Sequence, residues 1–217
     1  MENSKDLPLL NAEEIRVIGC LIEKSRTTPD YYPMTLNALT LACNQKSSRK
    51  PVVEYDEETV VLTLDTLKKK GLIATATGGG SRTVKYKHNL AIVYPLVPAE
   101  LAVICLLFLR GPLTPGEIKT NSNRLYDFES LEDVQAVLEK LASSENPYIT
   151  TLPRKTGQKE IRYAHLFAGE PIVDEDDFKG EPARKSVGEL ESRVAKLEQD
   201  YAELKSAFDK LYQELMG

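Results

Sequence analysis

Any chemistry in this chain has to come from few groups. There are two histidines, His88 and His165, and three cysteines, Cys20, Cys43 and Cys105, among 217 residues. The sequence holds neither a CxxC pair nor an HExxH helix, so a zinc site would require distant groups to converge. Each cysteine sits in an apolar or helical run, which points to buried thiols in a reducing compartment rather than to a disulfide framework. Cys20 and Cys105 fall at nearly equivalent places in two similar helices and read as small core residues, which leaves Cys43 as the thiol expected nearest to solvent. Both histidines close a hairpin strand, in Lys85-Tyr86-Lys87-His88 and Arg162-Tyr163-Ala164-His165, a repetition that favours packing over catalysis. Gly78-Gly79-Gly80-Ser81 lacks the Walker lysine and joins no strand to a helix, so it reads as a turn and not as a phosphate cradle. With no acid, base, nucleophile or metal set converging, the sequence points away from an enzyme and asks for no metal and no cofactor.

Two clusters of cations remain. Lys46, Ser47, Ser48, Arg49 and Lys50 make a basic turn, and Arg82, Lys85 and Lys87 make a basic hairpin. Both could contact the phosphates of double-stranded DNA, the serines letting the backbone approach closely. A solvated turn between helices accounts for the first cluster equally well. Lys68-Lys69-Lys70 complements a helix C-terminus, whereas Asp56-Glu57-Glu58 at the opposite end would repel phosphates, so a contact led by the hairpin is favoured over insertion of that helix start. The formal charge of −5 is unevenly spread, at +2 for residues 1–98, −2 for 99–170 and −5 for 171–217. Acidity gathers at the tail, and the first domain could still carry a local basic surface. In the second half Arg124, Arg154, Lys155, Lys159 and Arg162 are offset by Glu132, Asp133, Glu139 and Glu160, which suits partner contact or scaffold packing.

The elements that must position these groups occur twice. Glu14 to Ile22 and Glu100 to Phe108 open the two copies as helices. Each is followed by a Thr-Pro pair, a short helical segment (Thr35 to Cys43, Pro115 to Thr120) and a polar turn. A longer helix comes next, with Val60, Leu64 and Leu67 matched by Val134, Leu138 and Leu141 along one face. Each copy closes on a β-hairpin, Leu72–Thr77 with Thr83–Lys87 and Tyr148–Leu152 with Ile161–Tyr163. Helix, short helix, long helix and hairpin is the winged-helix plan. The predicted class is mainly α with small β-hairpins (α+β), as tandem winged-helix domains followed by a C-terminal coiled-coil helix. The boundaries are 10–90 and 99–169 for the two domains, 91–98 for an apolar connector that fixes their orientation, 170–185 for an acidic linker and 186–216 for the last helix. In that helix Val187, Leu190, Val194, Leu197, Tyr201, Leu204, Phe208, Leu211 and Leu215 recur at alternating spacings of three and four, a coiled-coil seam suited to a homodimer. A helix folded back on its own domains, or paired with another protein, would show the same pattern. No run is long enough to span a bilayer and the N-terminus has no signal-peptide pattern, so a cytoplasmic protein without membrane contact is expected.

Several segments carry a resemblance: Glu14 to Lys24, Tyr32 to Thr40, Ala42 to Arg49, Leu64 to Leu72, Pro98 to Val103, Leu109 to Glu117, Asn123 to Tyr126 and Arg162 to Phe167. Across about residues 11–169 the chain resembles the YceH-like family of uncharacterised bacterial proteins (UPF0502). The resemblance implies two tandem winged-helix domains and brings no catalytic, metal-binding or base-reading residue with it. The resulting expectation is a DNA-binding regulator without catalytic activity, with a winged-helix protein-interaction scaffold as the alternative.

Overall fold

The computed structural model describes residues 6–77, 83–153 and 160–171, together with Lys196, Gln199, Tyr201 and Lys205. Helix α1 spans Ala12–Thr27. The Glu14 N–H donates to Asn11 Oδ1 at 2.8 Å, and the Asn11 N–H donates to Glu14 Oε2 at 3.0 Å. This reciprocal cap satisfies two donors that a helix start leaves open. Every residue from Glu14 to Ile22 is buried, the pattern of a helix enclosed by neighbours rather than one lying on a surface. A two-residue strand, β1 (Met34–Thr35), leads into α2 (Leu36–Cys43), whose first turn is capped by the Thr35 hydroxyl. Helix α3 (Glu57–Lys69) is capped by Asp56 and buries Val60, Thr63, Leu64 and Leu67. Strands β2 (Ile73–Thr77) and β3 (Val84–His88) form an antiparallel hairpin, with β3 in the middle of the sheet between β1 and β2.

The connector contains a single turn of helix, α4 (Leu90–Val93). It divides the apolar residues expected to pack there: Tyr94 and Leu96 are buried, while Ile92 and Val97 face solvent. Helix α5 (Pro98–Arg110) is buried from Glu100 to Leu109. Then come α6 (Pro115–Ser122) and α7 (Leu131–Ala142), started by reciprocal caps at Thr114 with Glu117 and at Ser130 with Asp133. The hairpin of β4 (Ile149–Thr151) and β5 (Tyr163–His165) closes this half. Its return strand lies two residues later than the alternation of Ile161–Tyr163 suggests. An isolated bridge from Leu113 to Tyr163 occupies the place that β1 holds in the first half. The described chain is thus a mixed fold of several helices with small antiparallel hairpins, its element order stated twice.

An ion pair repeats with the elements. Glu14 Oε2 lies 2.7 Å from Lys70 Nζ, and Glu100 Oε1 lies 2.6 Å from Lys140 Nζ. Each carboxylate is buried at the third position of a first helix, and each lysine comes from the end of a third helix. Lysine and carboxylate together neutralise a charge that burial alone would make costly.

Residues up to Pro171 form one unit and those from Ile172 onward a second. Within the first, α1 packs on α5 and both halves share one hydrophobic cluster. The helices approach closely at Gly19, where a Cβ would lie 2.9 Å from Leu109 Cδ2 and 3.1 Å from Phe108 Cβ. Gly19 stands five residues after Glu14, as Cys105 stands five after Glu100, and the Cys105 thiol donates to the Gly19 carbonyl at 3.5 Å. The Leu10 N–H donates to Phe167 O at 2.7 Å, which ties the first residues of one half to the last of the other. The Phe167 ring also meets those of Tyr94 and Phe108 at right angles.

In the second unit Lys196, Gln199, Tyr201 and Lys205 are helical, and Tyr201 is 68 % exposed. The other eight seam positions, Val187, Leu190, Val194, Leu197, Leu204, Phe208, Leu211 and Leu215, lie outside the described residues. No described helix is long and apolar enough to cross a membrane.

Candidate nucleic-acid interface

The basic turn leaves α2 at Cys43 and is pinched shut by one side chain. Asn44 Nδ2 donates to Tyr55 O at 2.7 Å, and the Tyr55 N–H donates to Asn44 Oδ1 at 2.8 Å. Arg16, buried in α1, donates to Cys43 O at 3.0 Å and to Pro51 O, gripping both ends of the turn from below. Its far side is tied to the end of α5: the Lys50 N–H donates to Leu109 O at 2.8 Å, and Arg110 Nη2 donates to Ser48 Oγ at 2.9 Å. Ser48 takes the left-handed conformation, φ 58°, that the reversal requires; serine adopts it less readily than glycine.

These ties divide the five turn residues. Lys46, Ser47 and Lys50 face solvent, and Ser48 is half-buried. Arg49 is a different case. Its guanidinium has no exposure and donates to Glu23 Oε1 at 3.0 Å and Oε2 at 2.6 Å, to Ala42 O at 3.2 and 3.1 Å, and to Ser48 O at 3.0 Å. Burial works against its charge, but the hydrogen bonds to Glu23, with the charges of Cys20 and Glu23, outweigh burial and hold Arg49 above its ordinary range. Burial likewise raises Glu23, and the Arg49 contacts outweigh it to hold the carboxylate below the usual range. A guanidinium saturated in this way has no donor to offer a phosphate. Nothing in local sequence distinguishes Arg49 from its neighbours, because its partner is 26 residues away.

On the hairpin, β3 alternates. Tyr86 packs against the core, and Lys85 and Lys87 take the opposite face, Lys87 exposed and Lys85 half-buried. Arg82 lies outside the described residues. The His88 N–H donates to the Tyr32 hydroxyl at 2.7 Å, and its Nε2 lies 3.4 Å from Ser25 Oγ. Burial, aided by the Arg26 charge, lowers His88 to about 4. In the second half burial lowers His165 to about 4, with its ring perpendicular to that of Phe108 and the ring centres 4.9 Å apart. Both histidines are held neutral inside the fold.

The outward side of α3 carries Glu57, Glu58, Val61, Leu62, Asp65, Thr66, Lys68 and Lys69, all exposed. Its cations stand only at the C-terminal end, and Leu62 is 60 % exposed. In the second half the Tyr126 and Phe128 rings meet with their centres 4.8 Å apart, and Leu125 packs on the core, so the Asn123–Asp127 loop is anchored. Cys43, expected nearest to solvent, is fully buried, because Arg16 and Arg49 close over the end of α2. Among the described residues no group of three or more His, Cys, Asp or Glu is placed to hold a metal.

The family described as "Protein of unknown function, DUF480" matches residues 10–158. A UPF0502 protein of Shewanella piezotolerans is 47 % identical over 208 residues, covering 91 % of this chain and 94 % of that protein. One from Geotalea uraniireducens is 50 % identical over 195 residues, 89 % of each chain, and one from Shewanella oneidensis is 45 % identical over 219 residues, 93 % of this chain and 97 % of its own. Matched over most of its length at this identity, the chain belongs to the DUF480 (UPF0502) family of uncharacterised bacterial proteins.

Proposed function

We propose that this chain is a tandem winged-helix regulator that binds double-stranded DNA without turning it over, through phosphate contacts from its first half, and that it pairs with a second copy through residues 186–216. The observation that carries the reading is topological. Helix, helix, helix and hairpin recur in order, and the return strand of the hairpin is flanked by strand β1 in the first half and by a single bridge at Leu113 in the second. This order supports the winged-helix reading, on which a turn and a wing would meet a duplex. Among the described candidate residues, the cations left to act are Lys46 and Lys50 on the turn, and Lys85 and Lys87 on the outer face of β3. Contacts to phosphate of this kind position a protein on DNA without reading its sequence.

Fluorescence anisotropy with mixed genomic duplexes over a range of salt tests this. Replacing Lys46, Lys50, Lys85 and Lys87 by alanine is expected to weaken binding uniformly across sequences and to flatten the salt dependence by about 0.9 per contact removed. Equal binding by the folded variant would remove this surface from consideration. A second reading, a protein-interaction scaffold, is favoured by one observation: the outward side of α3 offers Val61 and Leu62 among Glu57, Glu58 and Asp65, a surface better matched to another protein than to a phosphate backbone. Under that reading Leu62→Lys disrupts the complex and the four-lysine variant does not.

A further inference from the structure

We propose that Arg110, at the end of α5 in the second half, binds a phosphodiester of the duplex, so that the DNA surface is built from both copies of the repeat. The inference rests on the DNA reading and adds to it a cation that lies in neither basic string.

The basic turn and the end of α5 form one surface. The Lys50 N–H donates to Leu109 O at 2.8 Å, which satisfies a carbonyl that a helix end leaves open. One residue further on, Arg110 Nη2 donates to Ser48 Oγ at 2.9 Å, across 62 positions of sequence. An arginine in a last helical turn complements the helix dipole wherever it stands. That role needs no contact with a turn of the other half.

The donors left over point to the ligand. A guanidinium carries five N–H donors in a rigid fork. Those of Arg49 meet a carboxylate and carbonyls, and Arg162 meets Glu117 and the Pro112 carbonyl. Arg110 has one hydrogen-bond partner among the described residues, a neutral hydroxyl, and no described carboxylate pairs with it. Half-buried and tied to Ser48, the guanidinium is held in place while most of its fork stays open. The Ser48 hydroxyl accepts from Arg110, and its own proton meets no acceptor among the described residues. Lys50, whose backbone joins the two, is exposed. Glu23, the acid that reaches this turn, is already paired with Arg49 and Lys24 and so does not cancel these charges. A forked cation beside a hydroxyl donor and a lysine suits the oxygens of a backbone phosphate, where charge-assisted bonds are strongest.

Duplex binding by the full-length protein is measured by fluorescence anisotropy over a range of sodium chloride, with thermal unfolding to show that each variant is folded. Arg110→Gln should lower affinity about tenfold. It should also flatten the slope of log affinity against log salt by about 0.9, the share of one phosphate contact. Arg110→Lys should keep the slope, because the cation remains. Ser48→Gly removes the tie without removing a charge and suits the left-handed backbone, so it too should keep the slope. Slopes that flatten alike in Ser48→Gly and Arg110→Gln would mean that Arg110 only holds the turn, and the proposal falls. A wild-type chain that binds no duplex sinks the DNA reading and this inference together. A slope lost in the four-lysine variant but kept in Arg110→Gln sinks the inference alone. A second measurement needs no variant: the wild-type protein is treated with phenylglyoxal, free and saturated with duplex, and its arginines are mapped by mass spectrometry. Arg110 should be modified in the free protein and protected by duplex, with Arg49 unmodified in both. Equal modification of Arg110 in the two states, or none in either, overturns the proposal.

Discussion

Arg49→Ala separates a structural guanidinium from a DNA contact. The residue makes a two-pronged pair with Glu23 at 2.6 and 3.0 Å, and each bond to a charged group contributes about 1.5–3 kcal/mol. Removing one partner of a buried pair costs about 3–5 kcal/mol, chiefly because the other charge is stranded. Here two features reduce the penalty. Glu23 is 13 % exposed and keeps Lys24 at 3.2 Å, and Ala42 O keeps the Cys20 thiol as donor. The expected loss is at the lower end, about 3 kcal/mol, or about 6–12 °C in Tm for a unit of this size. Urea unfolding followed by far-UV circular dichroism measures it. The pair Arg49→Met with Glu23→Leu should recover much of the loss, because no charge is then left buried alone. A single substitution that costs less than about 1 kcal/mol while DNA binding collapses would refute the assignment and return Arg49 to the phosphate surface.

The remaining predictions concern acid and packing. His88 and His165 are lowered from 6.5 to about 4 in the folded protein, so the unfolded chain takes up their protons first. Their contribution is complete above about pH 6.5 and fades as pH falls toward 4, amounting to about 2 kcal/mol lost per histidine by pH 5. Urea midpoints between pH 7.5 and 4.5 should fall accordingly, and a flat profile would show the rings to be hydrated. Below the usual carboxylate range a further decline follows from Glu14 and Glu23, both held low by cation partners against the opposing effect of burial. Gly19→Ala gains about 1 kcal/mol of helix propensity but drives a methyl group into Leu109 and Phe108, an overpacking cost of about 1–3 kcal/mol. A net destabilisation is expected in thermal unfolding, and a stabilised variant would contradict the tight crossing.

Much of the fold was legible because it depends on local rules. The periodicity of Val60, Leu64 and Leu67 and of Val134, Leu138 and Leu141 located α3 and α7, and the caps at Thr35, Asp56 and Thr114 are the residue types that start helices. Strand β1 escaped notice: two residues show no alternation, and Met34 and Thr35 become a strand only because β3 lies beside them. The return strand of the second hairpin was placed early for a related reason. Ile161 and Tyr163 alternate as well as Tyr163 and His165 do, and the backbone pairing of Ile149 with His165 decides between them. At the candidate interface Lys46, Lys50 and Arg49 are indistinguishable as a string of cations. Only the approach of Glu23 and of the α5 end, remote in sequence, puts one inside and leaves the others in water.

The meeting of Gly19 with Cys105 has a consequence of its own. When equivalent positions of two copies touch, the contact is self-complementary, the arrangement that two identical subunits adopt about a twofold axis. Here both partners are on one polypeptide, so their association is intramolecular and holds at any dilution. Covalent linkage also frees the halves from having to remain identical. One can keep a surplus of cations while the other turns acidic, and a single chain then presents two different surfaces in fixed register, which a symmetric pair of identical subunits cannot do.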